Sequence, residues 1–234
     1  MLKAQRKFNK KEVQQDDIIA SFNRARSFYD LNKKYISYAV TALAVLIVGG
    51  YIYVRNHSAN NEKAATELGK VFSIYDAAAN DPTQYKIAIE GQPGRGIMGL
   101  KTITENYGGT KAGELARFYL ANAYYNTGKV DEALKEFENF GGGDKMLKAS
   151  ATAGVAACYE SKGKPSEAAN YYEKASSIVS DVMVSPDYLT AATRCYAKAG
   201  DKEKALGCYQ RLKREYPTSQ GARDAERYVA PFAA

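Results

Sequence analysis

Apolar residues follow two different rules along this chain. From Tyr35 to Val54 they run for 20 residues without a single charge, between Lys34 and Arg55. At about 1.5 Å per residue, a helix of that length covers roughly 30 Å, the thickness of a bilayer core. Tyr35 and Tyr38 mark one end of the run, and Tyr51 and Tyr53 the other. A tyrosine ring with a wet hydroxyl suits the membrane interface. Core helices rarely run so far without a charge, so the pattern predicts a transmembrane helix over residues 35–54. A cleaved signal peptide has a shorter apolar core, roughly 7–15 residues, and a small-residue cleavage site. Here 34 residues precede the run and Tyr-Ile-Tyr-Val-Arg closes it, which reads as an uncleaved signal anchor. Just before the span, Ile18, Phe22, Ala25 and Tyr29 recur at helical spacing. Two readings fit that stripe: a short amphipathic helix on the inner leaflet, or a helix that continues into the span.

After the span the apolar positions turn periodic. Three segments line up. The first is Leu120-Ala121-Asn122-Ala123-Tyr124, followed by Gly128, Ala133 and Phe137. The second is Val155-Ala156-Ala157-Cys158-Tyr159, with Gly163, Ala168 and Tyr172. The third is Ala192-Thr193-Arg194-Cys195-Tyr196, with Gly200, Ala205, Tyr209 and Pro217. Successive copies are offset by 35 and then 37 residues. This resembles the tetratricopeptide repeat, a helical hairpin with a period of about 34. The glycines suit a helix end that needs a positive φ. The alanines are small where two helices of a hairpin approach, and the tyrosines fill the space between them. The tryptophan usual on the first helix is absent, and Arg117, Thr152 and Leu189 stand there.

The expected fold is therefore all-α: an N-terminal transmembrane helix followed by a tetratricopeptide-repeat helical-hairpin solenoid. Repeats are expected at about 114–146, 149–181 and 186–217, after a degenerate unit at about 60–110. That unit would pair Ala64–Ala79 with the helix before Tyr107, across a long connection from Asn80 to Gln92. A capping helix over 219–230 would cover the last apolar face.

Charge changes the picture at one point. The net charge is +7, which raises nucleic acid or an anionic membrane as partners. Residues 1–34 hold nine basic and four acidic groups; the other 200 residues hold 24 and 22. The excess thus sits in the tail before the span. By the positive-inside rule that tail, 1–34, stays cytoplasmic and 55–234 is translocated, in a bacterium to the periplasm. A translocated domain meets no nucleic acid.

Chemistry is sparse. One histidine, His57, leaves no imidazole set for a metal site or a Ser-His-Asp triad. Gly94-Arg95-Gly96-Ile97-Met98-Gly99 satisfies G-x-G-x-x-G, and Tyr85–Ile89 could pass for a strand before it. A dinucleotide site needs that turn inside a βαβ unit, whereas helical repeats follow here, so a glycine-rich turn entering a helix is the better reading. Cys158, Cys195 and Cys208 read as small buried side chains; a Cys158–Cys195 bridge is conceivable in an oxidising compartment. No catalytic, cofactor or metal residues are assigned, and no small-molecule substrate is expected.

The usable surface is the face of the first helices. Counting from the repeat frame, it presents Phe118, Asn122, Tyr125 and Asn126, then Ala153, Ala157 and Glu160, then Thr190, Arg194 and Lys198. The first group is aromatic and amide-rich and the last basic, which suits a polypeptide with apolar and acidic groups; the plain alternative is a solvated face.

The whole arrangement resembles the YfgM-type ancillary subunit of the SecYEG translocon. A basic tail, one span and about 175 residues of repeats carry the likeness, with Tyr107-Gly108-Gly109-Thr110-Lys111-Ala112-Gly113 and Lys213-Arg214-Glu215-Tyr216-Pro217-Thr218-Ser219 as its closest motifs. The resemblance implies a non-enzymatic inner-membrane adaptor or chaperone. Its implied partners are translocon subunits, a PpiD-type periplasmic chaperone and emerging secreted polypeptides. A different class also fits the sequence: a structural scaffold subunit of another envelope complex, serving cell division, outer-membrane assembly, secretion or photosynthesis.

Overall fold

One helix, α1 (Lys10–Ala77), runs for 68 residues. The structure, a computed structural model, describes residues 10–232, with side chains from residue 19 onward. Lys3, Arg6 and Lys7 of the expected basic tail lie outside the described residues, as does the side chain of Ile18. The helix does not break before the apolar run. The chain divides into two units, one ending at Asn56 and one starting at His57.

In the first unit the apolar run is exposed at every position but Ile36, which is half-buried. Leu43, Val45, Leu46, Ile47 and Val48 are each more than half exposed, as are Tyr35, Tyr38, Tyr51 and Tyr53. A helix that is apolar all round and keeps its large side chains exposed suits lipid rather than water. It is long and apolar enough to cross a membrane. A hydroxyl within it is satisfied inside the helix, as that setting requires: Thr41 Oγ1 donates to the Ser37 carbonyl at 2.9 Å.

The second unit is built from hairpins. The last turns of α1 bury Ala64, Leu68 and Val71, spaced i, i+4, i+7. The stretch expected to be a bare connection, 80–92, is more ordered than that. It holds α2 (Thr83–Glu90), with Asp81 Oδ1 accepting from the Thr83 backbone N–H at 3.0 Å and Ala88 and Ile89 buried. Tyr85–Ile89 is thus helix, not strand. A two-stranded hairpin follows, β1 (Gly91–Gln92) and β2 (Ile97–Met98), then α3 (Leu100–Tyr107). The glycines of this turn have a packing reason. A Cβ on Gly99 would lie 2.3 Å from the Ile89 carbonyl oxygen, and Gly91 takes φ +82°.

Three hairpins come next: α4 (Lys111–Asn126) with α5 (Val130–Glu138), α6 (Lys145–Ser161) with α7 (Pro165–Ile178), and α8 (Ser185–Ala199) with α9 (Lys202–Glu215). Between the helices of each pair, Gly128, Gly163 and Gly200 take φ of +77°, +70° and +81°. Ala133, Ala168 and Ala205 have no exposed surface. Side-chain caps start α4, α6 and α9: Thr110, Asp144 and Asp201 accept from the N–H three residues on. The C-terminal helix α10 (Gln220–Val229) is capped by Ser219 and buries Ala222 and Ala225 against Leu189 and Leu212.

The end of α1 serves as the first helix of the row. Asn61 Oδ1 accepts from the Ala112 N–H at the start of α4, at 2.9 Å. Further along, Phe72 and Tyr75 meet Tyr119 with ring centroids 5.3 and 4.9 Å apart. The buried Glu114 ties the ends of this unit together. Its carboxylate accepts from the N–H groups of Gly109 (3.1 Å) and Gly141 (2.6 Å) and from Arg117 Nε (3.3 Å). A buried carboxylate is tolerated only when satisfied in this way.

Candidate protein-binding face

The first helices α4, α6 and α8 carry the face expected from the repeat frame. Three of its residues are joined across repeats. Tyr125 on α4 shares a hydrogen bond with Ser161 at the end of α6, 3.0 Å between oxygens. Glu160 on α6 receives both terminal nitrogens of Arg194 on α8, the second at 3.0 Å to Oε2. Tyr172 on α7 adds a longer donation to Glu160, 3.4 Å. The bidentate pair fixes the planar guanidinium against the carboxylate. It also sets their ionisation. The hydrogen bond from Arg194 holds the Glu160 carboxyl below its ordinary value against the opposing effect of burial, and the same contact raises Arg194. Tyr172 is pushed up, first by burial and then by the Glu160 charge.

This pairing corrects the expectation that the last repeat presents a basic surface. The charge of Arg194 is matched by Glu160, while Lys198 stays exposed. Two further residues are half-buried and engaged within the fold. Phe118 packs inward, with ring centroids 6.2 Å from Phe137 and 6.0 Å from Phe140. Thr190 donates to the Pro186 carbonyl at 2.7 Å and lies against Gly221 of α10, where a Cβ would come within 2.6 Å of its hydroxyl. Asn122 and Asn126 spend an amide N–H on the carbonyl four residues back, each at 2.8 Å. Ala153 and Ala157 are half-buried.

The repeat frame leaves out one apolar feature of the second unit. Helices α1 and α4 enclose an apolar cleft of about 400 Å³, lined by Ala65, Leu68, Gly69, Phe72, Leu115 and Tyr119. Phe72 is 39% exposed there, which is unusual for a phenylalanine beside a packed core. Gly69 leaves the helix surface open, since a side chain at that position would meet nothing within 4 Å of its Cβ. The signal was present as the helical spacing Ala65, Leu68, Gly69, Phe72, one face of the last turns of α1.

Reactive chemistry does not gather on this face. Cys158, Cys195 and Cys208 are free and buried. Burial pushes their thiols up to about 11, 11 and 12. Among the described residues no group of three His, Cys, Asp or Glu is placed to hold a metal ion.

The described fold is an all-α row of helical hairpins. The family model described as tetratricopeptide repeat matches residues 115–141 and 189–219. No curated protein and no solved structure matches the chain. Those two segments are thus similar to tetratricopeptide repeats, a family that typically serves as a non-catalytic scaffold for protein–protein interaction.

Proposed function

We propose that this chain is a membrane-anchored adaptor or chaperone that works beside the Sec translocon. In this reading α1 spans the bacterial inner membrane, the N-terminus is cytoplasmic and the repeats are periplasmic. The observation that carries the binding role is the exposed apolar cleft between α1 and α4. A cleft floored by Leu68 and Leu115 and edged by Phe72 and Tyr119 suits apolar side chains of an unfolded or helical segment. The polar row formed by Tyr125, Glu160 and Arg194 suits the backbone and polar groups of a partner. The likeness to YfgM-type subunits supplies the translocon as the place of work.

Photocrosslinkers placed at Phe72 and Tyr125 in cells test the role. Translocon subunits, a PpiD-type chaperone or nascent secreted chains should be captured. Stoichiometric capture of a different envelope complex, unaffected by loss of the translocon, would replace this reading with the structural-scaffold one. Orientation has its own test. Neutralising Arg24, Arg26, Lys33 and Lys34 together should let part of the population invert, read with a reporter fused to the C-terminus. Unchanged orientation would remove the charge argument.

A further inference from the structure

The fourth position of the repeat's first helix is filled in three ways. Leu189 on α8 is fully buried beside Leu212 of α9 and Ala222 of α10. Arg117 on α4 fills its place with charge, reaching Glu114 at 3.3 Å and Glu136 at 2.7 Å. Thr152 on α6 does neither. Its hydroxyl donates back to the Lys148 carbonyl at 2.8 Å, so the side chain is satisfied within its own helix. The repeat pattern usually sets an indole at this position. With threonine there, a pocket of about 310 Å³ stands open between α5, α6 and α7.

The pocket wall is apolar: Phe137, Phe140, Val155, Tyr171 and Ile178. Its charged rim is Lys148, Lys174 and Glu138. Neither lysine makes an ion pair among the described residues. Lys174 sits 5.8 Å from the centroid of the Tyr171 ring. An apolar well whose mouth holds two unpaired ammonium groups against one carboxylate is net positive, which suits an apolar group attached to a carboxylate. Its volume is at the small end of the roughly 300–1,000 Å³ of ligand sites, which suits one bulky side chain better than a whole cofactor. Aromatic side chains anchor protein interfaces in such wells.

We infer that this pocket is a second docking site, taking an aromatic side chain flanked by Asp or Glu from a partner polypeptide. It shares no residue with the face of the first helices, and it does not depend on where in the cell the protein works. The partner's aromatic ring fills the place that the chain's own residue 152 leaves empty. Lys148 and Lys174 pair with the flanking carboxylates.

The chain has no tryptophan, so an added indole can be followed by its own fluorescence. The full chain in detergent is titrated with an acetylated Asp-Trp-Glu peptide. A saturable blue shift of the peptide's emission is expected. The double variant Lys148→Glu, Lys174→Glu should weaken binding about tenfold or more, and a Lys-Trp-Lys peptide should bind the native chain correspondingly less well. Thr152→Trp should show blue-shifted emission from its own indole and should no longer bind the peptide. If that variant does not fold, Thr152→Leu fills the same space and should weaken the peptide as well. Lys63→Ala, an exposed lysine outside the pocket, should leave the titration unchanged. Equal binding by the native chain, the double-lysine variant and the Thr152 variants would overturn the proposal. So would water-like emission from a folded Thr152→Trp chain. Indole-3-acetate competing as well as the peptide would overturn a polypeptide as the occupant.

Discussion

Two stretches of helix α1 have the same backbone and opposite surfaces. Residues 35–54 carry no charge, and nearly every large side chain there is exposed. Residues 57–77 bury Ala64, Leu68 and Val71 on one stripe and put Glu62, Lys63 and Lys70 on the other side. Helix formation does not distinguish them, because a helix satisfies its backbone groups in either solvent. The side-chain pattern does. An all-round apolar surface is stable only if something apolar surrounds it, whereas a one-sided stripe is stable once a neighbouring helix covers it. Helix α4 does the covering for the second stretch, through Tyr119 and the hydrogen bond from Ala112 to Asn61. The first stretch keeps nearly all of its large side chains exposed.

The largest expected effect breaks the second stretch. Val71 has no exposed surface, and Val71→Asp would leave a carboxylate without a partner inside the core. A loss of about 4 kcal/mol or more is expected in the stability of the repeat unit, enough to unfold a marginal domain. Urea unfolding followed by circular dichroism measures it. Insertion of the span into membranes should be unchanged by the same variant.

The mirror experiment places a charge in the first stretch. Leu46→Lys should cost about 3 kcal/mol of insertion free energy near the centre of a span. Resistance of the protein to alkaline extraction from membranes reports the loss. Unfolding of the repeats should keep its midpoint. If Leu46→Lys instead lowered that midpoint, residues 35–54 would be packing against protein, and the membrane assignment would fall.

These two stretches also show what can be read without a structure. The span is legible because a 20-residue uncharged run has few other uses. The hairpin turns are legible because Gly128, Gly163 and Gly200 recur at the repeat spacing, and all three adopt the positive φ that favours glycine. Helix α2 is not legible, since only Ala88 and Ile89 are buried and its start depends on the Asp81 side chain. Phe118 misleads for a related reason. The repeat frame turns it outward, but Phe137 on α5 and Phe140 just beyond that helix draw the ring inward. Arg194 shows its charge in the sequence but not its partner, which lies 34 residues earlier. Local pattern carries the elements; pairings between repeats depend on the packed geometry.

The smallest effect sharpens the comparison through pH. The Glu160 carboxyl is held below its ordinary 4.5 chiefly by its hydrogen bond from Arg194. A lowered carboxyl contributes stability above the unfolded value and loses it as pH falls through the folded one. Arg194 stays charged across this range, so protonation of Glu160 alone removes the pair. The two side chains are 21% and 35% exposed, and solvent screening limits the contribution to about 1 kcal/mol. Stability of the native chain should therefore fall about 1 kcal/mol further between neutral pH and pH about 3 than that of Glu160→Gln, which has no charge to lose there. Parallel urea titrations at the two pH values give the difference. Equal losses would mean that the carboxylate adds nothing to the contact between α6 and α8. Retention of the span in the membrane should not follow this titration, because residues 35–54 carry no carboxylate at all.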